Sequence, residues 1–127
     1  VWDLLAHSWA HAQEKRRAVR ALEHAARLAS DGNRYLHIAE LLFELRDWDG
    51  AVRAVDNALQ KGEIKEPGTA HLLLGIASHH RGDEKRCFHA LERAQRYKDT
   101  KAQADWWIEK LRAEGVAVID SASQAGM

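Results

Sequence analysis

The chain has 127 residues, of which 46% are hydrophobic and 30% are charged, and its 19 basic and 19 acidic side chains balance. This length suits one domain or a short array of repeats, and the zero net charge provides no overall field that would recruit nucleic acid or anionic lipid. The single cysteine, Cys87, excludes an internal disulfide, and no apolar run reaches the roughly 20 residues that a membrane-spanning helix needs.

A similar octapeptide occurs three times along the chain. Residues 18–25 read AVRALEHA, residues 51–58 read AVRAVDNA, and residues 87–94 read CFHALERA. The copies are 33 and 36 residues apart. A period in this range is typical of stacked helical units that cannot bury their apolar faces alone. The repeat therefore predicts a surface for partners rather than a catalytic pocket.

Helix-forming residues dominate the chain, and its only proline is Pro67. Apolar positions recur at steps of three and four residues, which predicts an all-α protein. Turn-forming residues at 30–33 and 61–68 separate the units, and shorter breaks at 46–49 and 81–83 divide two of them. Aspartates in these shorter breaks are suited to N-cap a second helix. The pattern predicts repeated helix–turn–helix units.

The order of these signals predicts five segments. Units over residues 1–32, 33–67 and 68–101 are followed by a helix over 102–115 and a flexible tail over 116–127. The helix after the third unit has four apolar residues on one face: Ala104, Trp107, Ile108 and Leu111. Because Val1 already lies within a helical pattern, we expect the sequence to be a fragment of a longer chain.

Each unit resembles the tetratricopeptide repeat (TPR), whose 34 residues follow the pattern Trp-x2-Leu-Gly-x2-Tyr and then Ala-x3-Phe-x2-Ala. The matching positions are Trp2, Leu5, Ala6, Trp9, Ala18, Leu22 and Ala25, then Tyr35, Ile38, Ala39, Leu42, Ala51, Val55 and Ala58, then His71, Leu74, Gly75, Ser78, Cys87, Leu91 and Ala94. The spacing of 36 residues from the second octapeptide to the third is two longer than the pattern, and Glu63 and Asp99 replace the usual terminal proline. The resemblance implies an α-solenoid of three TPR units with 102–115 as capping helix.

Three stretches carry a narrower resemblance. Residues 61–64, 72–77 and 101–108 look like the C-terminal end of bacterial TPR proteins that accompany TonB-type energy-transduction systems. This resemblance implies a bacterial protein that acts in the periplasm.

In the TPR family, the first helices of successive units line a concave groove that holds partner segments. The resemblance therefore implies a set of partner-binding groove residues: His7, His11, Leu36, His37, Glu40, Phe43, Glu44, Leu72, Ile76, His79 and His80. We expect exposed apolar area in this groove, suited to an amphipathic helix or an extended apolar segment of a protein partner. Its apolar residues are Leu36, Phe43, Leu72 and Ile76. The alternative is that the capping helix or the tail covers these residues.

The leading hypothesis is a non-catalytic protein–protein interaction module without a cofactor. Phosphate-binding loops, nucleophile motifs and paired Cys–His arrangements are absent from the sequence. The basic turn at 15–20 is too small to predict nucleic-acid binding.

Two other hypotheses remain open. In the first, the chain is a structural segment that forms homo-oligomers through exposed edges, with either Trp106 or the N-terminal face as the contact. In the second, histidines mediate metal-dependent binding, because His7 and His11 are four residues apart on one helix face and Asp3 lies one turn earlier.

Overall fold

A computed structural model describes the backbone of residues 2–115 and the side chains of residues 10–115. The described chain is all helical, with no strand, which confirms the predicted class. Its helices, in chain order, are α1 (Trp2–Leu28), α2 (Asn33–Glu44), α3 (Trp48–Lys61), α4 (Pro67–His80), α5 (Glu84–Ala94) and α6 (Lys101–Ala113). Within residues 2–115, every helix is too short or too polar to cross a membrane.

The chain divides into two compact units between Ile64 and Lys65. In the N-terminal unit, α2 packs against both α1 and α3. In the C-terminal unit, α5 packs against both α4 and α6. Each unit is therefore built from neighbouring helices in chain order, which is a repeat-like arrangement.

The turns of the helix pairs α2–α3 and α4–α5 are closed in the same way. The carboxylate of Asp47 accepts a hydrogen bond from the Gly50 N–H at 3.0 Å, and that of Asp83 accepts one from the Arg86 N–H at 3.2 Å. The backbone N–H of each aspartate also donates a hydrogen bond to a carbonyl of the preceding helix, with an N–O distance of 2.9 Å. These bonds satisfy orphan groups at both helix ends, so a short local sequence fixes each turn.

The residue before each capping aspartate lies in the left-handed region, with φ 61° for Arg46 and φ 85° for Gly82. The predicted breaks at 46–49 and 81–83 are therefore present as two equivalent turns.

The first unit differs from the prediction. Residues 1–32 were expected to form a helix–turn–helix, but α1 is one continuous helix from Trp2 to Leu28. The reason is local: residues 10–17 read AHAQEKRR and contain no glycine, proline or capping aspartate that would end a helix. The helix–turn–helix prediction for this unit is wrong.

The apolar residues of the second and third octapeptides form the core of each unit. Val55 in α3 and Leu91 in α5 are fully buried, as are the alanines that end the two copies, Ala58 and Ala94. Burial of each large aliphatic side chain contributes about 1.5–3 kcal/mol. The octapeptide therefore holds each helix pair together.

The α1–α2 turn lies directly on the end of α3. The Lys61 ammonium donates to the carbonyls of Ala26 at 2.8 Å, Arg27 at 3.0 Å and Ala29, so it satisfies acceptors at the C-terminus of α1. The Gly32 N–H donates to the Gly62 carbonyl at 2.9 Å. A Cβ atom at position 32 would overlap the backbone carbonyl of Ala58, so this approach requires glycine.

Helix α6 falls within the range of the predicted capping helix. Three of its four predicted apolar-face residues, Ala104, Ile108 and Leu111, are buried, and Trp107 is half-buried. Its first turn is fixed by Lys101 and Gln95, whose hydrogen bonds to Asp105 hold the pKa of that carboxyl below its usual range. The predicted tail, residues 116–127, lies outside the described residues, and the capping role of α6 stays a prediction.

His71 of α4 is buried and stacks on Tyr97, with 6.1 Å between ring centroids. Its Nδ1 atom has no hydrogen-bond partner among the described residues. Burial lowers the pKa of His71, and the positive charges of Arg93, His89 and Arg96 lower it further. The folded state therefore keeps this imidazole neutral.

We predict that Gly32→Ala lowers the free energy of unfolding by about 1–3 kcal/mol, because the new methyl group displaces the end of α3. Urea denaturation followed by circular dichroism measures the change. The control is Ser30→Ala, an exposed position in the same turn, where we expect almost no change. Equal stability of Gly32→Ala and the parent chain would contradict the close approach of this turn to Ala58.

We predict that acidification destabilises the fold through His71. The unfolded imidazole has a pKa near 6.5 and the folded one a lower pKa, so the unfolded state binds more protons as the pH falls below about 7. Stability is therefore lost between about pH 7 and the lowered folded pKa. Urea denaturation from pH 7.5 to 5 should show a smaller loss for His71→Phe than for the parent chain. His24→Gln, at an exposed position, is the control and should behave like the parent.

Candidate functional site

A cavity of about 420 Å³ lies between α4 and α6 in the C-terminal unit. One wall is formed by Leu72 and Ile76, which are one turn apart and so share a face of α4. The other wall is formed by four residues of α6: Ala102, Gln103, Trp106 and Trp107. We call this cavity and its lining the α4–α6 groove. Only Gln103 places a polar side chain in it, so the groove suits an apolar occupant.

The two tryptophans of the groove have different environments. Consecutive helix residues point about 100° apart, so a single buried face cannot take both rings. Trp107 is half-buried, whereas Trp106 is 53% exposed. The rings meet edge to face, with centroids 5.2 Å apart and an angle of 89° between their planes. A large, rigid aromatic ring is thus exposed at the mouth of an apolar cavity.

A positive charge lies beside these rings. The Lys110 ammonium is 4.9 Å from the ring centroid of Trp106 and 5.4 Å from that of Trp107, which is cation–π distance. Lys101 of the same helix is 2.9 Å from the Asp105 carboxylate. No carboxylate among residues 10–115 is within ion-pair distance of Lys110. The two tryptophans that line the groove therefore have a cation beside them that the described residues do not neutralise.

The predicted groove residues of α4 are placed differently from expectation. Leu72 and Ile76 were expected to expose apolar area, but each is only 9% exposed. Both line the α4–α6 groove, but most of each side chain is covered by neighbouring residues. The expectation of exposure is wrong for them, because burial depends on neighbouring helices that a family pattern does not place.

His79 and His80 lie at the end of α4. Nδ1 of His79 donates to the Glu84 carboxylate, at 2.9 and 3.1 Å from its two oxygens, and so joins the end of α4 to the start of α5. His80 is exposed, and its ring centroid is 5.6 Å from that of His79. His79 therefore has a structural contact within the unit, and His80 presents its side chain to solvent.

The predicted groove residues of α2 lie together on that helix. Leu36 is 5% exposed, so the expectation of an exposed apolar side chain is wrong there as well. Phe43 is partly exposed and packs edge to face on Trp48, with ring centroids 5.1 Å apart. His37 and Glu40 are exposed. The remaining member of the set, Glu44, pairs with Lys15 of α1 at 2.7 Å.

The predicted histidine pair of α1 lies partly outside the described side chains. His11 is exposed, whereas the side chains of His7 and Asp3 are not among those described. Among the described residues, no cluster of three or more potential metal ligands occurs.

A second cavity, of about 290 Å³, lies within the N-terminal unit between α1, α2 and α3. Its polar lining carries both signs of charge, including Glu23, Arg27, Asp47 and Arg53. This mixture favours no single class of ligand.

Cys87 is fully buried in α5. Burial raises the pKa of its thiol to about 12, with smaller contributions from Glu84 and Asp83. The thiolate that nucleophilic chemistry requires is therefore not formed at neutral pH.

Most of the α4–α6 groove was not predicted from the sequence. Trp106 was expected only as a self-association contact, and no role was predicted for Gln103 or Lys110. The available signal was the adjacent pair Trp106–Trp107 on a helix whose buried face has room for only one of them. Lys110, four residues after Trp106, follows from the same helical spacing.

Comparisons of the chain with protein-family models, with curated proteins and with solved structures find no match.

Proposed function

We propose that the chain is a non-catalytic protein–protein interaction module and that its α4–α6 groove binds an apolar segment of a partner protein. The observation that carries this proposal is Trp106, which is 53% exposed at the mouth of an apolar cavity of about 420 Å³. Exposed apolar area bordering a concave site usually marks an interaction surface, and tryptophan is the residue most enriched at binding hot spots.

The energetics favour Trp106 as an anchor. An aromatic side chain buries 150–250 Å² when fully covered, so a partner that covers the exposed half of Trp106 removes about 100 Å² from water. At roughly 25 cal/mol per Å², this burial contributes about 2.5 kcal/mol, or close to a hundredfold in affinity. Little conformational entropy is lost on binding, because the edge-to-face contact with Trp107 already orients the ring.

We further propose that residues 33–67 and 68–101 are TPR units and that α6 is their capping helix. Support comes from the two equivalent aspartate turns and from the burial of the small pattern residues Ala39 and Gly75. The first helix of each unit would then supply groove residues, as the TPR resemblance implies. The exposed members of that set on α2, His37 and Glu40, would extend the partner surface.

Self-association is the second candidate function. It is favoured by two exposed apolar side chains, Trp106 in α6 and Leu28, which is 78% exposed at the end of α1. A second copy could cover either of them.

We predict that Trp106→Ala weakens partner binding at least tenfold without unfolding the chain, since more than half of this side chain is already in water. Peptides selected by the full chain from a random 12-residue display library serve as ligands, and isothermal titration gives their affinities. Leu28→Ala, an exposed apolar truncation in the other unit, is the control and should bind like the parent. Circular dichroism checks that both variants keep their helices. Equal affinity of Trp106→Ala and the parent would contradict the proposed site.

We predict that the chain sediments as a monomer from about 5 to 200 µM, since the interaction surface is proposed to serve a different protein. Analytical ultracentrifugation measures this directly. A dimer that appears with rising concentration and is lost in Trp106→Ala would instead establish self-association through α6.

A further inference from the structure

We infer that the partner segment carries a carboxylate next to its apolar anchor and that Lys110 selects for this carboxylate. This inference rests on the proposed function of the α4–α6 groove. It commits the groove to one kind of occupant: a segment of another protein with a large aliphatic or aromatic side chain beside an Asp or Glu.

The ammonium of Lys110 has a restricted position. The Lys110 ammonium lies against both tryptophan rings, at 4.9 and 5.4 Å from their centroids. Two ring contacts restrict a side chain that is otherwise flexible, so the charge stays beside the two tryptophans that line the cavity. An ammonium has three donors, and ring contacts leave donors available to an acceptor on an incoming ligand.

The described residues do not neutralise the charge of Lys110. Asp105, the acidic residue in the middle of α6, is held by Lys101 and Gln95. Glu109 and Glu114 are exposed and form no ion pair with Lys110. A ligand carboxylate could therefore pair with the Lys110 ammonium without breaking an existing ion pair.

The charge of Lys110 lies beside the apolar lining of the groove. Leu72, Ile76 and the tryptophans favour an apolar side chain in the cavity, whereas Lys110 disfavours a basic residue beside it. Specificity commonly depends on such a repulsive element as well as on attraction. The pairing of an apolar anchor with a neighbouring acid follows from the geometry of the site.

Two other occupants compete with this one. Residues 116–120 of the chain read Val-Ala-Val-Ile-Asp, which has the same chemistry of aliphatic side chains followed by a carboxylate. A second copy of the chain is the other rival. Both are distinguished by the experiments below.

The test compares peptide selections by three full-length chains: the parent, Lys110→Glu and Lys98→Glu. The probe is a random 12-residue peptide display library. We expect the parent and Lys98→Glu, an exposed charge reversal outside the groove, to enrich Asp or Glu within two positions of an apolar anchor. Lys110→Glu should enrich Lys or Arg at the same place. For the tightest parent-selected peptide, Lys110→Glu should weaken binding about tenfold and Lys110→Met about threefold.

The outcomes separate the two proposals. The same acidic preference in the parent and Lys110→Glu, with binding still lost in Trp106→Ala, overturns the role of Lys110 and leaves the proposed function in place. If no enriched peptide depends on Trp106, both proposals fail.

The rival occupants are tested in the full chain. We expect Asp120→Lys to leave peptide affinity within about twofold of the parent value. A rise of tenfold or more would show that residues 116–120 compete for the groove and would overturn the commitment to a separate partner. If the chain forms a dimer that the selected peptide dissociates, a second copy of the chain occupies the groove. This result would also overturn the commitment to a separate partner.

Discussion

The close approach of α4 and α5 is the constraint on which the C-terminal unit depends. A Cβ atom at Gly75 would lie 2.9 Å from Leu91 side-chain atoms, so the contact is formed by a residue without a side chain against a fully buried leucine. Helix α4 is buried at most positions along its length, as expected of a helix with apolar residues on all sides. Because α5 packs on the face that carries Gly75, the face that carries Leu72 and Ile76 is left for the α4–α6 groove.

Helix α6 forms the other wall of the groove but does not fill it. Ala104, Ile108 and Leu111 are buried on one face, and this rotation of the helix leaves Trp106 exposed and Trp107 at the border. At the start of α6, the Thr100 hydroxyl donates a hydrogen bond to the Ala94 carbonyl at 2.9 Å. The groove therefore combines an exposed aromatic edge with an apolar lining, and these two features support the proposed interaction site.

The N-terminal unit has the same repeated apolar pattern as the C-terminal unit but a different arrangement of turns. Its helices α2 and α3 are joined by an aspartate turn equivalent to that of α4 and α5, yet α1 runs without a break through the region expected to contain a further turn. Lys61 and Gly32 fix the end of α1 on α3, so the unit is held by contacts to helix termini as well as by its apolar core. A repeated apolar pattern thus specifies packing faces, whereas capping residues specify where helices end.

The helical class, the buried face of the second and third octapeptides and the two aspartate turns could be predicted from the sequence, because each depends on interactions between residues a few positions apart. The contact of Lys110 with Trp106 is local in the same sense, because these residues are four positions apart on one helix. The burial of Leu36, Leu72 and Ile76 could be seen only in the folded chain, since the exposure of an apolar side chain depends on neighbouring helices. The tertiary structure likewise decided that Leu72 and Ile76 face Trp106 across a cavity, because two helices separated by a third can be placed only by their packing.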